Sequence, residues 1–82
     1  MDNVRTKLAH CFSLVFPAMD PTLYPEASAD TMSEWDSITQ VTLLTTIGEE
    51  FNIDIDYEEF EGATSFASLA ERLTEKTSRY VQ

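Results

Sequence analysis

Five consecutive residues, Glu-Trp-Asp-Ser-Ile at positions 34–38, are the best placed for chemistry in this 82-residue chain. They join a polar, proline-containing stretch to an apolar run, so Ser37 falls at the start of a predicted helix. A helix N-terminus favours an anion, so a phosphodiester on the Ser37 hydroxyl would be well placed. Spacing alone favours a structural role. Either Ser37 is the N-cap in a capping box with Gln40, or Asp36 is the N-cap and Ser37 the first helical residue.

Two other chemistries are excluded by the residues present. Amide and acidic side chains alternate over residues 52–58, as in a calcium-binding loop, but such a loop needs Gly at its sixth position and Glu at its twelfth. Those positions hold Tyr57 and Ala63, so we predict no metal site. His10 is the only histidine, no nucleophile is flanked by glycines, and Cys11 lies on an apolar helix face. We therefore predict that the chain is not an enzyme.

The charge is strongly negative and unevenly placed. Fifteen acidic and five basic residues give a net charge of −10, and residues 8–71 hold thirteen acidic residues and no basic one. The phosphates of a nucleic acid would be repelled, whereas basic protein surfaces would be attracted. Charge by itself favours a simpler role, that of keeping a small protein in solution. The basic residues lie near the two ends and are Arg5, Lys7, Arg72, Lys76 and Arg79.

The length predicts one domain over residues 1–82, and the lone cysteine excludes an internal disulfide. We find neither a signal-peptide pattern nor an apolar stretch near 20 residues, which predicts no membrane span. We expect a cytoplasmic monomer.

Apolar periodicity predicts helices over roughly residues 3–16, 36–51, 56–61 and 65–80. This is an all-α fold, a small antiparallel four-helix bundle of three long helices and one short one. The long loop over residues 17–35 is either pinned by packing of Met19, Leu23, Tyr24 and Met32, or contains a helical turn after Asp20-Pro21. Residues 51–57 alternate as a strand does, but no second strand is available, so we predict an extended connection.

The second helix should be the most buried. Its apolar residues span an arc of roughly 220°, which leaves only a narrow threonine-rich strip exposed. The apolar residues in question are Ile38, Val41, Leu43, Leu44, Ile47 and Phe51.

Asp36-Ser37-Ile38 resembles the Asp-Ser-Leu motif of acyl and peptidyl carrier proteins, the phosphopantetheine-binding family. The resemblance covers roughly residues 4–75 and includes the order of the helices, the long first loop and the acidic middle. The matching positions are Val41, Leu43, Glu49-Glu50-Phe51, Ile53, Ile55, the Asp-Tyr-Glu-Glu segment at 56–59, Thr64-Ser65-Phe66 and Leu69.

The resemblance implies that a phosphopantetheinyl transferase, using coenzyme A and magnesium, attaches 4′-phosphopantetheine to Ser37. The thiol of that arm then carries an acyl or aminoacyl group as a thioester. Asp36 would cap the second helix and orient the attachment point, and Ile38 would help dock the transferase and anchor the helix start. Trp35 would either line the path of the arm or shield the junction between loop and helix.

The same resemblance places a partner surface on the second helix, at Thr39, Gln40, Thr42 and Glu49. The carriers of fatty-acid synthesis usually have acidic residues at the positions of Thr39 and Thr42, and a small one at that of Trp35. The chain is therefore more similar to stand-alone carriers of specialised pathways, such as polyketide or nonribosomal peptide synthesis. The alternative is an acidic helical interaction module without a prosthetic group.

Overall fold

The computed structural model describes residues 3–78, which form an all-α bundle. Helix α1 spans Asn3–Val15, a 3₁₀ helix spans Pro21–Glu26, α2 spans Ser37–Phe51 and α3 spans Phe66–Ser78. The three long helices were predicted within one or two residues at each described end. The predicted end of the last helix, at residues 79–80, lies outside the described residues.

The predicted short helix over 56–61 is wrong, because this segment forms a series of turns. Asp56 and Glu59 have the spacing of a capping box, but the Asp56 carboxylate accepts from the nearer backbone N–H of Glu58, at 3.0 Å. The backbone bonds then mix four-residue and three-residue steps, from Phe60 to Asp56 and from Glu61 to Glu58. Since these bonds do not repeat at one step, the segment forms turns and not a regular helix.

The fourth helix lies instead in the long loop. Asp20 caps it by accepting from the backbone N–H of Thr22 at 3.0 Å, and Pro21 begins it. The helical turn expected after Asp20-Pro21 is therefore confirmed. Tyr24 is buried as predicted, whereas Leu23 is 51% exposed.

Two further contacts fasten the loop to the bundle. The backbone N–H of Ala29 donates to the carbonyl of Thr64 at 2.8 Å, and that of Phe66 donates to the carbonyl of Ala27 at 3.0 Å. These bonds tie the second half of the loop to the start of α3. The loop is consequently held along its length, and it delivers the chain to α2 in a fixed position.

Helix α1 is antiparallel to both other long helices. Near its beginning, Lys7 lies over the ring of Phe51 at the end of α2, and near its end Phe16 packs on Trp35, just before α2 starts. The ring of Phe12 lies 5.1 Å from that of Phe66, the first residue of α3. The expected antiparallel arrangement is thus confirmed.

Phe12 is the centre of the core. Its ring is fully buried and lies within 5.5 Å of the rings of Phe16, Tyr24, Trp35 and Phe66. These rings come from α1, the loop, the junction before α2 and the start of α3. One aromatic cluster therefore fixes the elements that meet at the beginning of α2.

No helix in the described part of the chain is long and apolar enough to cross a membrane.

Candidate functional site

Asp36 caps α2. Its backbone is extended, with φ −99° and ψ −173°, and its Oδ1 accepts from the backbone N–H of Thr39 at 2.9 Å. Its carbonyl accepts the first helical bond, from the N–H of Gln40 at 2.8 Å. Hydrogen bonds from Thr39, the backbone N–H foremost, lower the pKa of the exposed Asp36 carboxyl below its ordinary value. Of the two structural roles that spacing left open, the second is the one observed.

Ser37 is therefore the first residue of α2, and its side chain does not serve as the N-cap. Its side chain is exposed, and its hydroxyl makes no hydrogen bond to any residue within 3–78. It lies at the positive end of the dipole of a 15-residue helix. The local geometry thus presents an uncommitted hydroxyl where a negatively charged substituent is electrostatically favoured.

Trp35 anchors the chain just before the cap. Only 4% of its surface is exposed, and its ring lies 5.5 Å from Phe12 in an edge-on arrangement and 5.7 Å from Phe16. Its indole Nε1–H donates to Oε1 of Gln40 at 2.6 Å. Part of the side chain also lines a cleft beside Ser37. Of the two roles considered for Trp35, shielding of the junction is observed, and the residue also borders the space next to the candidate attachment point.

Gln40, which sequence analysis places on the partner surface, turns its amide into the fold. While Oε1 accepts from Trp35, Nε2 donates to the carbonyls of Phe60 at 3.3 Å and Ala63 at 3.1 Å. The amide is half-buried, and both of its donors and its acceptor are used within the chain. The carbonyl of Phe60 also accepts from the backbone N–H of Ala63, so the Gln40 amide adds a second donor to it. No local sequence signal could have shown this, because the partners lie 20 and 23 residues away.

A cleft of about 440 Å³ opens beside Ser37. Leu44 and Trp35 supply apolar walls on the α2 side, and Tyr57 and Glu61 come from the turns opposite. The Tyr57 hydroxyl is hydrogen-bonded to that of Thr45 at 2.9 Å, so its ring is held against α2. Tyr57 and Glu61 were not predicted as site residues. The complete lining is Ala29, Trp35, Asp36, Ser37, Gln40, Val41, Leu44, Tyr57, Glu61 and Thr64.

The outer face of α2 is apolar where burial was predicted. Leu43, Leu44 and Ile47 are buried, but Ile38 is 77% and Val41 52% exposed. The predicted arc of burial is therefore too wide. The anchoring role expected for Ile38 is also not seen, since its side chain projects into solvent.

Two threonines beside this apolar strip bond their hydroxyls to the backbone of their own helix. Thr42 is exposed, but its hydroxyl donates to the carbonyl of Ile38 at 3.1 Å, and that of Thr45 donates to the carbonyl of Val41 at 2.9 Å. Each of the two hydroxyls thus bonds back to a carbonyl of its own helix, while both side chains stay exposed. Thr39 is half-buried and borders a small groove at the end of α1.

Glu49 is exposed but lies at the other end of α2. Twelve residues separate it from Ser37, which corresponds to about 18 Å along the helix axis. It cannot belong to the immediate surroundings of the Ser37 hydroxyl.

The remaining reactive side chains lie at that same distant end. His10 Nδ1 is 3.2 Å from Oε2 of Glu50, and Cys11 is fully buried. Burial, assisted by the negative charge of Glu50, raises the pKa of the Cys11 thiol to about 12, so no nucleophilic thiolate is present at neutral pH. Within the described residues, no group of three or more His, Cys, Asp or Glu side chains is arranged to hold a metal ion.

Comparison with known proteins leaves these observations to stand by themselves: no family model, curated protein or solved structure matches the chain.

Proposed function

We propose that the chain is a carrier protein that tethers acyl or aminoacyl intermediates as thioesters on a 4′-phosphopantetheine arm attached to Ser37. The observation that supports it best is that capping and exposure fall to different residues at the start of α2. Asp36 provides the cap, and the Ser37 hydroxyl is exposed and unbonded within residues 3–78. A serine with a capping role would have its hydroxyl engaged with the helix backbone.

The attachment reaction is a phosphoryl transfer. The Ser37 oxygen attacks the β-phosphorus of coenzyme A, the bond from that phosphorus to the bridging oxygen breaks, and adenosine 3′,5′-bisphosphate leaves. The serine proton passes to a base of the transferase, and magnesium neutralises charge on the phosphates. The carrier contributes an accessible hydroxyl, and its helix dipole favours the phosphodiester that forms.

The surroundings of Ser37 suit such an arm. Asp36 engages the N–H of Thr39, so one of its oxygens is held toward the helix. The neighbouring cleft offers Trp35 and Leu44 as apolar walls. When bound, the arm would supply a terminal thiol that carries the cargo as a thioester.

The proposed partners are a phosphopantetheinyl transferase and loading or processing enzymes with basic surfaces. The net charge of −10 favours encounter with such surfaces. The uncharged face of α2, with Ile38 and Val41 exposed, lies next to Ser37 and suits specialised pathways better than fatty-acid synthesis. We propose that the protein acts as a monomer in the cytoplasm.

Intact-mass spectrometry tests the proposal. The protein is incubated with coenzyme A, magnesium and a transferase of broad specificity, and we expect a mass gain of one phosphopantetheine group. Ser37→Ala should abolish the gain. Ser33→Ala should retain it, since Ser33 is an exposed serine four residues earlier. No gain with several transferases would favour the alternative, an acidic interaction module, and a gain that persists in Ser37→Ala would refute the assignment of the site.

A further inference from the structure

We propose that Gln40 is a positioning residue for the modification of Ser37, because its amide holds the turns over 57–63 against α2. This inference rests on the proposed function. The residue does not touch the reacting hydroxyl. It acts through the turns over 57–63, which form the wall of the cleft opposite Ser37 and are called the wall below.

The amide joins three parts of the chain at one point. Oε1 accepts from the indole of Trp35, which is fixed in the aromatic cluster, and Nε2 donates to the carbonyls of Phe60 and Ala63. The bond to Trp35, at 2.6 Å, is the shortest of the three. A rigid anchor on one side is thereby connected to a segment without regular structure on the other.

Few hydrogen bonds hold the wall to α2. Its own backbone bonds are short-range turns, such as that from Ala63 to Phe60 at 3.0 Å. Phe60 is buried in the core, and Glu59 contacts Lys76 of α3 at 3.4 Å. Toward α2, the Gln40 amide and the hydroxyl pair of Tyr57 and Thr45 are the side-chain hydrogen bonds between these parts of the described chain.

The position of the segment matters for any enzyme that acts on Ser37. Tyr57 and Glu61 line the same cleft as Ser37, so a transferase that encloses the hydroxyl must also meet them. If the wall moves, the docking surface changes, but the hydroxyl and its cap at Asp36 do not. We therefore expect an effect on binding rather than on the chemical step.

Glutamine is well suited to this position. Glutamate could still accept from Trp35 but has no donor for the two carbonyls. Methionine has a similar length, also lacks a donor, and its sulfur is only a weak acceptor for the indole N–H. Gln40→Glu therefore removes the two bonds to residues 60 and 63 alone, and Gln40→Met removes these two and weakens the bond to Trp35. Because the methionine variant adds no charge, an effect shared by both variants does not come from charge.

The test combines kinetics with two measurements that need no modification. Trp35 is the only tryptophan, so its indole N–H gives one resonance in an NMR spectrum. We expect this resonance to move upfield in Gln40→Met, where its hydrogen bond is weakened, and not to move upfield in Gln40→Glu, where a carboxylate still accepts from the indole. Amide hydrogen exchange over residues 57–63 should accelerate in both variants. The KM of the transferase for the carrier should rise at least about fivefold in both, because one net hydrogen bond is worth about that factor and both variants lose the two bonds to the wall, with kcat unchanged.

The outcomes separate the two proposals. Wild-type exchange and KM in both variants would overturn the role of Gln40, as would a fall in kcat with KM unchanged. A wild-type protein that no transferase modifies would instead overturn the carrier function. The exchange and NMR results would still report whether Gln40 holds the wall.

Discussion

The aromatic cluster around Phe12 makes a quantitative prediction about the support of the Ser37 site. Phe12→Ala removes a fully buried ring that contacts four others, at centroid distances of 5.1–5.5 Å. Deleting such a side chain costs about 3–5 kcal/mol, from lost burial and from the cavity that remains. Since small domains are stable by only about 5–15 kcal/mol, the variant should lose a large part of its stability.

Unfolding by urea and by heat, each followed by far-UV circular dichroism, measures this loss as a free energy and as a melting temperature. Each kcal/mol lowers the melting temperature of a domain of this size by about 4–8 °C, so the melting temperature should fall by at least about 12 °C. The matched control is Leu14→Ala on the same helix, whose side chain is 58% exposed. It should change the free energy of unfolding by about 0.5 kcal/mol or less.

The cluster also fixes Trp35, so the variant should disturb the junction before Ser37 as well as the core. A loss below about 1 kcal/mol in Phe12→Ala would refute the reasoning, because it would mean that the rings around the deleted side chain are loosely packed. An equal loss in both variants would refute it too, since burial would then not decide the cost.

Three further predictions concern individual side chains. The Cys11 thiol should resist alkylation in the native protein and react in urea. Burial raises the pKa of this thiol in the folded state, so its contribution to stability is complete below about pH 9 and is lost as the pH rises toward about 12. Alkaline unfolding should therefore lower the stability of the wild type more steeply than that of Cys11→Ala, and equal slopes would contradict the prediction. The Asp36 pKa is lowered, so the contribution of the cap is present above the ordinary carboxyl pKa and is lost as the pH falls below it. Asp36→Asn keeps a cap that does not titrate, and NMR shifts of the first turn of α2 should lose that pH dependence. Thr39→Asp combined with Thr42→Glu should raise the rate at which fatty-acid-synthesis enzymes accept the loaded protein, and an unchanged rate would mean that the loop or Trp35 decides partner choice.

The features that could be read from the sequence are those set by local chemistry. Residues 36 and 37 predict a cap at one or the other, and Asp20-Pro21 allows a helical turn, because the bonds that make each feature lie within four residues. The long helices follow from periodicity for the same reason. The start of α2 was therefore within reach of sequence reasoning, although the choice between Asp36 and Ser37 as its cap was not.

The features that were missed depend on contacts between distant parts of the chain. Asp56 carries a helix-start pattern, but the segment after it is fixed by burial of Phe60 and by the amide of Gln40, neither of which a local pattern records. Tyr57 became part of the site because it meets Thr45, twelve residues away. A three-dimensional arrangement was needed to place these residues around the cleft.

The exposure of Ile38 and Val41 gives α2 an uncharged outer face next to Ser37. Periodicity identified an apolar face correctly, but how much of that face is covered depends on its neighbours, and these two side chains are left in solvent. Exposed β-branched residues favour a helix less than Ala, Glu or Lys would. Residues 37–48 hold no acidic residue in a chain with fifteen, so this face carries no negative side chain of its own. On the proposed carrier function, partners would read this face by apolar contact around Ser37, with the acidic residues elsewhere in the chain steering their approach.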